Sequence, residues 1–175
     1  MASAPFGIEM GSPVSTVTVV REMAQGKYYI TPPKPHPQFE TYLVQASPTY
    51  GIVWIKGITS DLLNDSYGNS ALAMMDKLRA QLESRYGPGN KTDFLMPDAL
   101  WTDPRDWAMG LLEGERAHHC LWQRPENRDL PDDLASIFLG IGALDNTTTN
   151  VVLEYASTSL EAAERELDNE AARLL

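Results

Sequence analysis

The stretch FETYLVQASPTYGIVWIKGI, residues 39–58, decides the fold class. Its arms, 39–46 and 51–58, are dense in β-branched and aromatic residues, which fit a pleated, half-buried surface better than a helix. Between them Ser47-Pro48-Thr49-Tyr50 is a short proline-bearing loop, and two such arms around a short loop read as a β-hairpin. Just upstream, TPPKPHPQ (31–38) holds four prolines in eight residues; each fixes φ and lacks an amide donor, so this piece is an extended connector. KYYI (27–30) offers a third strand. Further out, SPVSTVTVVREM (12–23) carries competing signals: Ser12-Pro13 has the form of an N-cap with proline at the first helical position, while the run after it is β-branched. The cap signature favours a short helix.

Downstream, Leu72, Met75, Leu78, Leu82 and Tyr86 recur at spacings of three and four and predict a helix over 69–86, stopped by Gly87-Pro88-Gly89. KTDFLMPDALW (91–101) reads as a loop, after which Asp103-Pro104 opens a second helix with Trp107, Ala108, Leu111 and Leu112 on one face and Gly114 at its end. RAHHCLWQ (116–123), LASIFLGIGAL (134–144) and VVLEYAS (151–157) read as strands, separated by the polar loop 124–133 and the turn DNTTTN. In the last helix Thr158 and Glu161 have capping-box spacing, and Leu160, Ala163, Leu167, Ala171 and Leu174 form the expected buried stripe. The expected class is α+β: one domain over 1–175, an antiparallel sheet of about five to six strands and helices mainly on one face. Two αβββα halves, 6–88 and 98–175, are a further expectation.

Apolar residues make up 43% and charged residues 22% of the 175, values of an ordinary globular chain rather than a disordered one. The formal charge of −10 repels phosphate backbones and anionic headgroups, which argues against nucleic acid and membrane as direct partners and for a basic protein surface. A single cysteine cannot form an intrachain disulfide, and the opening MASAPFGIEMGSP has neither a basic start nor a long apolar run, so a cytoplasmic protein is expected. Nothing in these residues sets the oligomeric state.

AHHCLW (117–122) places two of the three histidines beside the only cysteine. In a strand His118 and Cys120 share one face and His119 the other, so at most two of the three meet one metal, whereas structural zinc takes four N/S ligands. No metal or cofactor site is expected. A thiol nucleophile, Cys120 activated by His118 or by His36, supports an alternative reading as a cysteine/histidine hydrolase. The chain lacks a Gly-x-Ser-x-Gly elbow, a phosphate-cradling glycine loop with lysine and a Gly-x-Gly-x-x-Gly segment. Carboxylates cluster at Asp98, Asp103, Asp106, Glu113 and Glu115, beside Trp101 and Met96-Pro97, a composition that suits an interface anchor with a charged rim. The last helix adds Glu161, Glu164, Glu166, Asp168 and Glu170. Trp101, Asp103, Asp106, Glu164 and Asp168 are therefore the expected binding residues of a noncatalytic acidic protein that neutralises or regulates a basic partner, in the manner of an immunity protein or inhibitor. A structural or assembly subunit of phage or bacterial origin is the remaining alternative.

PFGIEMGSPVSTV, PPKPHPQFETYLVQASPTYGIVWIKGI and DFLMPDALWTDPRDWAMGLL resemble a family of uncharacterised bacterial proteins with a Phe-Gly-x-x-Met-Gly opening, a PKPH-x-x-FE-x-Y segment and a W-x-x-P-x-DW segment. That resemblance runs from Phe6 to about Leu112 and implies no catalytic residue. FGIEMGSPVSTV is also loosely similar to the short helix before a β-meander in small-lipoprotein and β-lactamase-inhibitor-like domains, which implies a fold of this layout and binding to other proteins.

Overall fold

The structure is a computed structural model that describes residues 4–175; the first three residues of the opening stretch lie outside the described residues. Its strands are β1 (Thr18–Glu22), β2 (Lys27–Thr31), β3 (Phe39–Ser47), β4 (Gly51–Thr59), β5 (Asn90–Leu95), β6 (Arg116–Gln123), β7 (Leu134–Ala143) and β8 (Thr149–Ser157). Its α-helices are α1 (Asn69–Tyr86), α2 (Trp107–Leu112) and α3 (Leu160–Ala172). The strands join one antiparallel sheet in the order β1-β2-β3-β4-β8-β7-β6-β5.

Eight strands correct the expected five to six, and in place of αβββα halves β1–β4 run up to α1, while β5, α2 and β6–β8 run up to α3. The two strands that the pattern hides are the sheet's edges. In 12–23 the apparent cap leads only into a 3₁₀ turn, Val14–Thr16, and the β-branched residues that follow form β1, exposed along its whole length. Their intrinsic preference for extended backbone outweighs one proline signal. In β5, read as loop, the residues Asn90-Lys91-Thr92-Asp93-Phe94-Leu95 pair in unbroken register with β6, from Asn90↔Leu121 to Leu95↔Arg116. An edge strand with little buried surface has no apolar alternation to betray it.

The chain divides into two compact units: Met1–Gly57 with Leu130–Ile137 and Glu154–Leu175, and Ile58–Asp129 with Phe138–Leu153. In the first, the Phe6 ring stands edge-on to Phe39, Tyr42 and Tyr155 at 5.5, 4.9 and 6.0 Å between centroids. The proline-rich connector is tied down by Tyr42, whose hydroxyl accepts the His36 amide at 2.9 Å. The hairpin loop closes at Gly51 (φ 65°), where a Cβ would fall 2.3 Å from the Gly11 carbonyl oxygen, so only glycine fits. Helix α3 latches onto this loop through Glu166, which accepts from the Ser47 hydroxyl at 3.0 Å and from the Thr49 amide and hydroxyl at 3.1 and 2.9 Å. Two expectations for α3 fail. Ser159, not Thr158, precedes its first turn and makes no side-chain cap, and of the expected stripe only Ala163 is buried.

In the second unit α1 buries Ala71, Met75, Leu78, Leu82 and Tyr86, with Ala71 in the place expected for Leu72. Its first amides, which have no partner within the helix, are satisfied by a buried carboxylate: Asp65 accepts from Ser70 and Ala71 at 2.8 and 3.0 Å and from the Thr149 hydroxyl at 2.7 Å. At the other end the Gly87 carbonyl accepts the Trp122 indole N–H at 2.8 Å. The second expected helix is shorter than its sequence signal, a 3₁₀ turn Pro104–Asp106 followed by six residues of α2, and Leu112 points to solvent instead of lining a buried face. No helix among the described residues is long and apolar enough to cross a membrane.

Candidate interaction surface

Strand β6 turns its alternation into chemistry: His118, Cys120 and Trp122 are buried, while His119 on the opposite face is half-buried. Cys120 has no exposed surface, and that burial, with Glu83 adding to it, pushes the thiol pKa up. A protonated, enclosed thiol is the reverse of what a nucleophile requires. Burial likewise lowers the His118 pKa, against the pull of Asp93, whose Oδ1 lies 3.5 Å from Nδ1. His36 belongs to the other unit, where its Nδ1 accepts the Gln38 amide at 3.1 Å and its ring packs edge-on against Phe39. These contacts give all three weak catalytic candidates a packing role. Among the described residues no three His, Cys, Asp or Glu side chains gather in the manner of a metal site.

The second candidate region is built by Glu115. Its carbonyl accepts the Met96 amide at 2.8 Å, and its carboxylate accepts the amides of Leu100 and Trp101, each at 3.0 Å. This clamp fixes the backbone of a loop that has no helix or strand ladder of its own, and it aims the loop's side chains. Trp101 is half-buried, whereas Leu100 stands 83% exposed, with Met96 at 44% and Leu112, one turn before Glu115, at 41%. Acidic residues flank these positions along the chain. Asp103 caps the 3₁₀ turn by accepting the Arg105 amide at 3.0 Å and also binds the Arg105 guanidinium at 3.0 Å, and these bonds hold its pKa below the usual carboxylate value. Asp106 occupies the N-cap position of α2 without a side-chain cap bond, and Asp98 and Glu113 are exposed.

Trp101, Asp103 and Asp106 lie within six residues of one another in the second unit, and Glu164 and Asp168 lie on α3, in the first unit. Both carboxylates of α3 are exposed. The side of that helix turned toward the hairpin loop is not uniformly acidic: in an open cleft of about 490 Å³ there, Arg165 and Arg173 stand beside Glu166 and Glu170. Sequence reasoning passed over Leu100 and named Glu115 only as one of a cluster of carboxylates, not as the group that holds the loop. The available signal was a leucine between Asp98 and Trp101 in a stretch without periodicity, where no element exists to bury it.

Comparisons with family models, with curated proteins and with solved structures return no match for this chain.

Proposed function

We propose that this chain is a noncatalytic, cytoplasmic binding protein that takes a basic partner protein at the clamped loop 96–106 and the end of α2, and so neutralises or regulates it. The observation that carries the proposal is Leu100, a large apolar side chain 83% exposed on a backbone held by Glu115, in a segment that also bears Asp98, the Asp103–Arg105 pair, Asp106 and Glu113. Interfaces concentrate affinity in a few apolar anchors that become desolvated, inside a polar rim that steers association and excludes wrong partners. A preformed loop adds to this by sparing the ordering cost on binding. The net charge of −10 favours a cationic counterpart. Cysteine/histidine hydrolysis is the weaker reading because its nucleophile is enclosed and its thiol pKa raised.

The test is affinity capture with the wild-type chain and with Leu100→Asp side by side, at low and moderate salt, followed by titration of the captured protein. The expected result is one stoichiometric basic partner whose association slows as salt rises and whose affinity for Leu100→Asp falls by at least about tenfold, the scale of a lost interface anchor. Equal binding of the same partner by both proteins would remove this surface from the proposal.

A further inference from the structure

The two edges of the sheet are built differently. Along β1 the register with β2 slips between Val19 and Arg21, leaving Val20 as an extra residue, 67% exposed. A bulge of this kind twists an edge and spoils it as a template for another strand. Along β5 there is no slip over six residues. The sheet ends at β5, and Asn90, Lys91, Asp93 and Phe94 are exposed there.

The direction of the β5 backbone follows from the Met96 amide, which points to β6 because it donates to the Glu115 carbonyl. In an antiparallel ladder inward and outward residues alternate, so with the constant register Thr92 and Phe94 also turn their N–H and C=O groups to β6, while Lys91, Asp93 and Leu95 turn theirs to the open edge. Only an incoming strand that matches this parity can pair. For a second copy of β5 arriving antiparallel about a two-fold axis, a centre on any residue satisfies this parity, and the three centres that set charged residues directly against each other are Lys91, Thr92 and Asp93. A centre at Lys91 sets two ammonium groups opposite each other, and one at Asp93 sets two carboxylates opposite each other. Centring on Thr92 sets Lys91 against Asp93 of the second copy, and does so twice. The same pairs are the ones whose outward N–H and C=O groups exchange hydrogen bonds, and opposite charges directly across strands stabilise while like charges oppose. Asp93 retains 58% exposure although His118 Nδ1 and Arg116 lie 3.5 and 4.0 Å away, so its carboxylate remains open to a further cation.

We propose that two copies of this chain associate through β5, antiparallel and centred on Thr92, extending the sheet across a two-fold axis. This is an isologous contact, in which each side supplies the same groups to the other. It leaves Leu100 and the acidic residues that flank it outside the paired residues, so the inference stands independently of the partner proposed above. A single added strand pair buries little surface, which makes the dimer a weak, concentration-dependent one.

Charge reversal tests the register. By sedimentation over a range of protein concentrations the wild-type chain shows a reversible doubling of mass. Lys91→Asp opposes two carboxylates twice, Asp93→Lys opposes two ammonium groups twice, and each variant alone stays monomeric while keeping the wild-type circular dichroism. An equimolar mixture of the two regains the dimer, because aspartate on one chain then meets lysine on the other at both positions. A wild-type chain that is monomeric at every concentration, single variants that still dimerise, or a folded mixture that fails to recover the dimer would each overturn the proposal.

Discussion

Helix α1 buries five side chains and has its first amides held by the enclosed carboxylate of Asp65, whereas α3 buries Ala163 alone and meets its unit through the half-exposed Glu166. The two helices are therefore attached by different physics. For α1 the attachment is apolar area removed from water, which scales with each buried methylene and is lost together with packing when a side chain is cut back. For α3 it is one buried alanine, the half-buried Leu160 and Leu167, and a set of hydrogen bonds that water can replace at modest net cost. The expected consequence is an order of sensitivity: changes in the buried face of α1 cost most, changes at its cap less, and changes at the α3 latch least.

Leu78→Ala attacks the difference at its strong end. Leu78 is almost completely enclosed, and truncating such a residue costs about 2–5 kcal/mol, depending on how far the site collapses. Urea unfolding should show a clear drop in midpoint, and a cost under about 1 kcal/mol would mean that α1 is not seated on this face as the structure has it. Asp65→Ala comes next. It leaves the Ser70 and Ala71 amides and the Thr149 hydroxyl without their acceptor inside the protein, at a cost of about 2 kcal/mol. Asp65→Asn keeps one acceptor oxygen but sets an NH2 where the other oxygen accepted, so it should recover only part of the loss; an Asn variant as poor as the Ala variant would mean that both carboxylate oxygens are needed together.

The same contrast shows what sequence can and cannot reveal. The stripe Met75, Leu78, Leu82, Tyr86 and the stripe Leu160, Ala163, Leu167, Ala171, Leu174 have equally good helical spacing, and both segments are helices. Spacing reports that a helix has an apolar side; it does not report whether a surface exists to cover it, which explains why Ala171 and Leu174 are exposed. The central strands were legible because one covered face imposes alternation, as in β8, where buried and half-buried residues follow one another without a break. The edges were not, since β1 and β5 have almost nothing buried to alternate. At the candidate surface the charged residues could be read from composition. The exposure of Leu100 could not, because it depends on Glu115, fourteen and fifteen residues from the amides it binds.

Glu166→Ala tests the weak end. Three donors, the Ser47 hydroxyl and the Thr49 amide and hydroxyl, lose one shared carboxylate. The two Thr49 donors are exposed, so water replaces their acceptor, whereas the Ser47 hydroxyl is mostly enclosed and its lost partner sets the global cost at about 1 kcal/mol. The informative effect is local. The Thr49 amide, which donates to the Glu166 carboxylate, should exchange its hydrogen markedly faster, and residues 48–50 should become the preferred site of protease nicking, while amides in the middle of α1 keep wild-type protection. If Glu166→Ala lowered stability as much as Leu78→Ala, the latch would be holding more than a loop, and the division between an apolar attachment for α1 and a polar one for α3 would fail. Unchanged exchange at Thr49 would break the comparison from the other side, because α3 would then be held by the apolar contacts around Ala163 and not by its carboxylate.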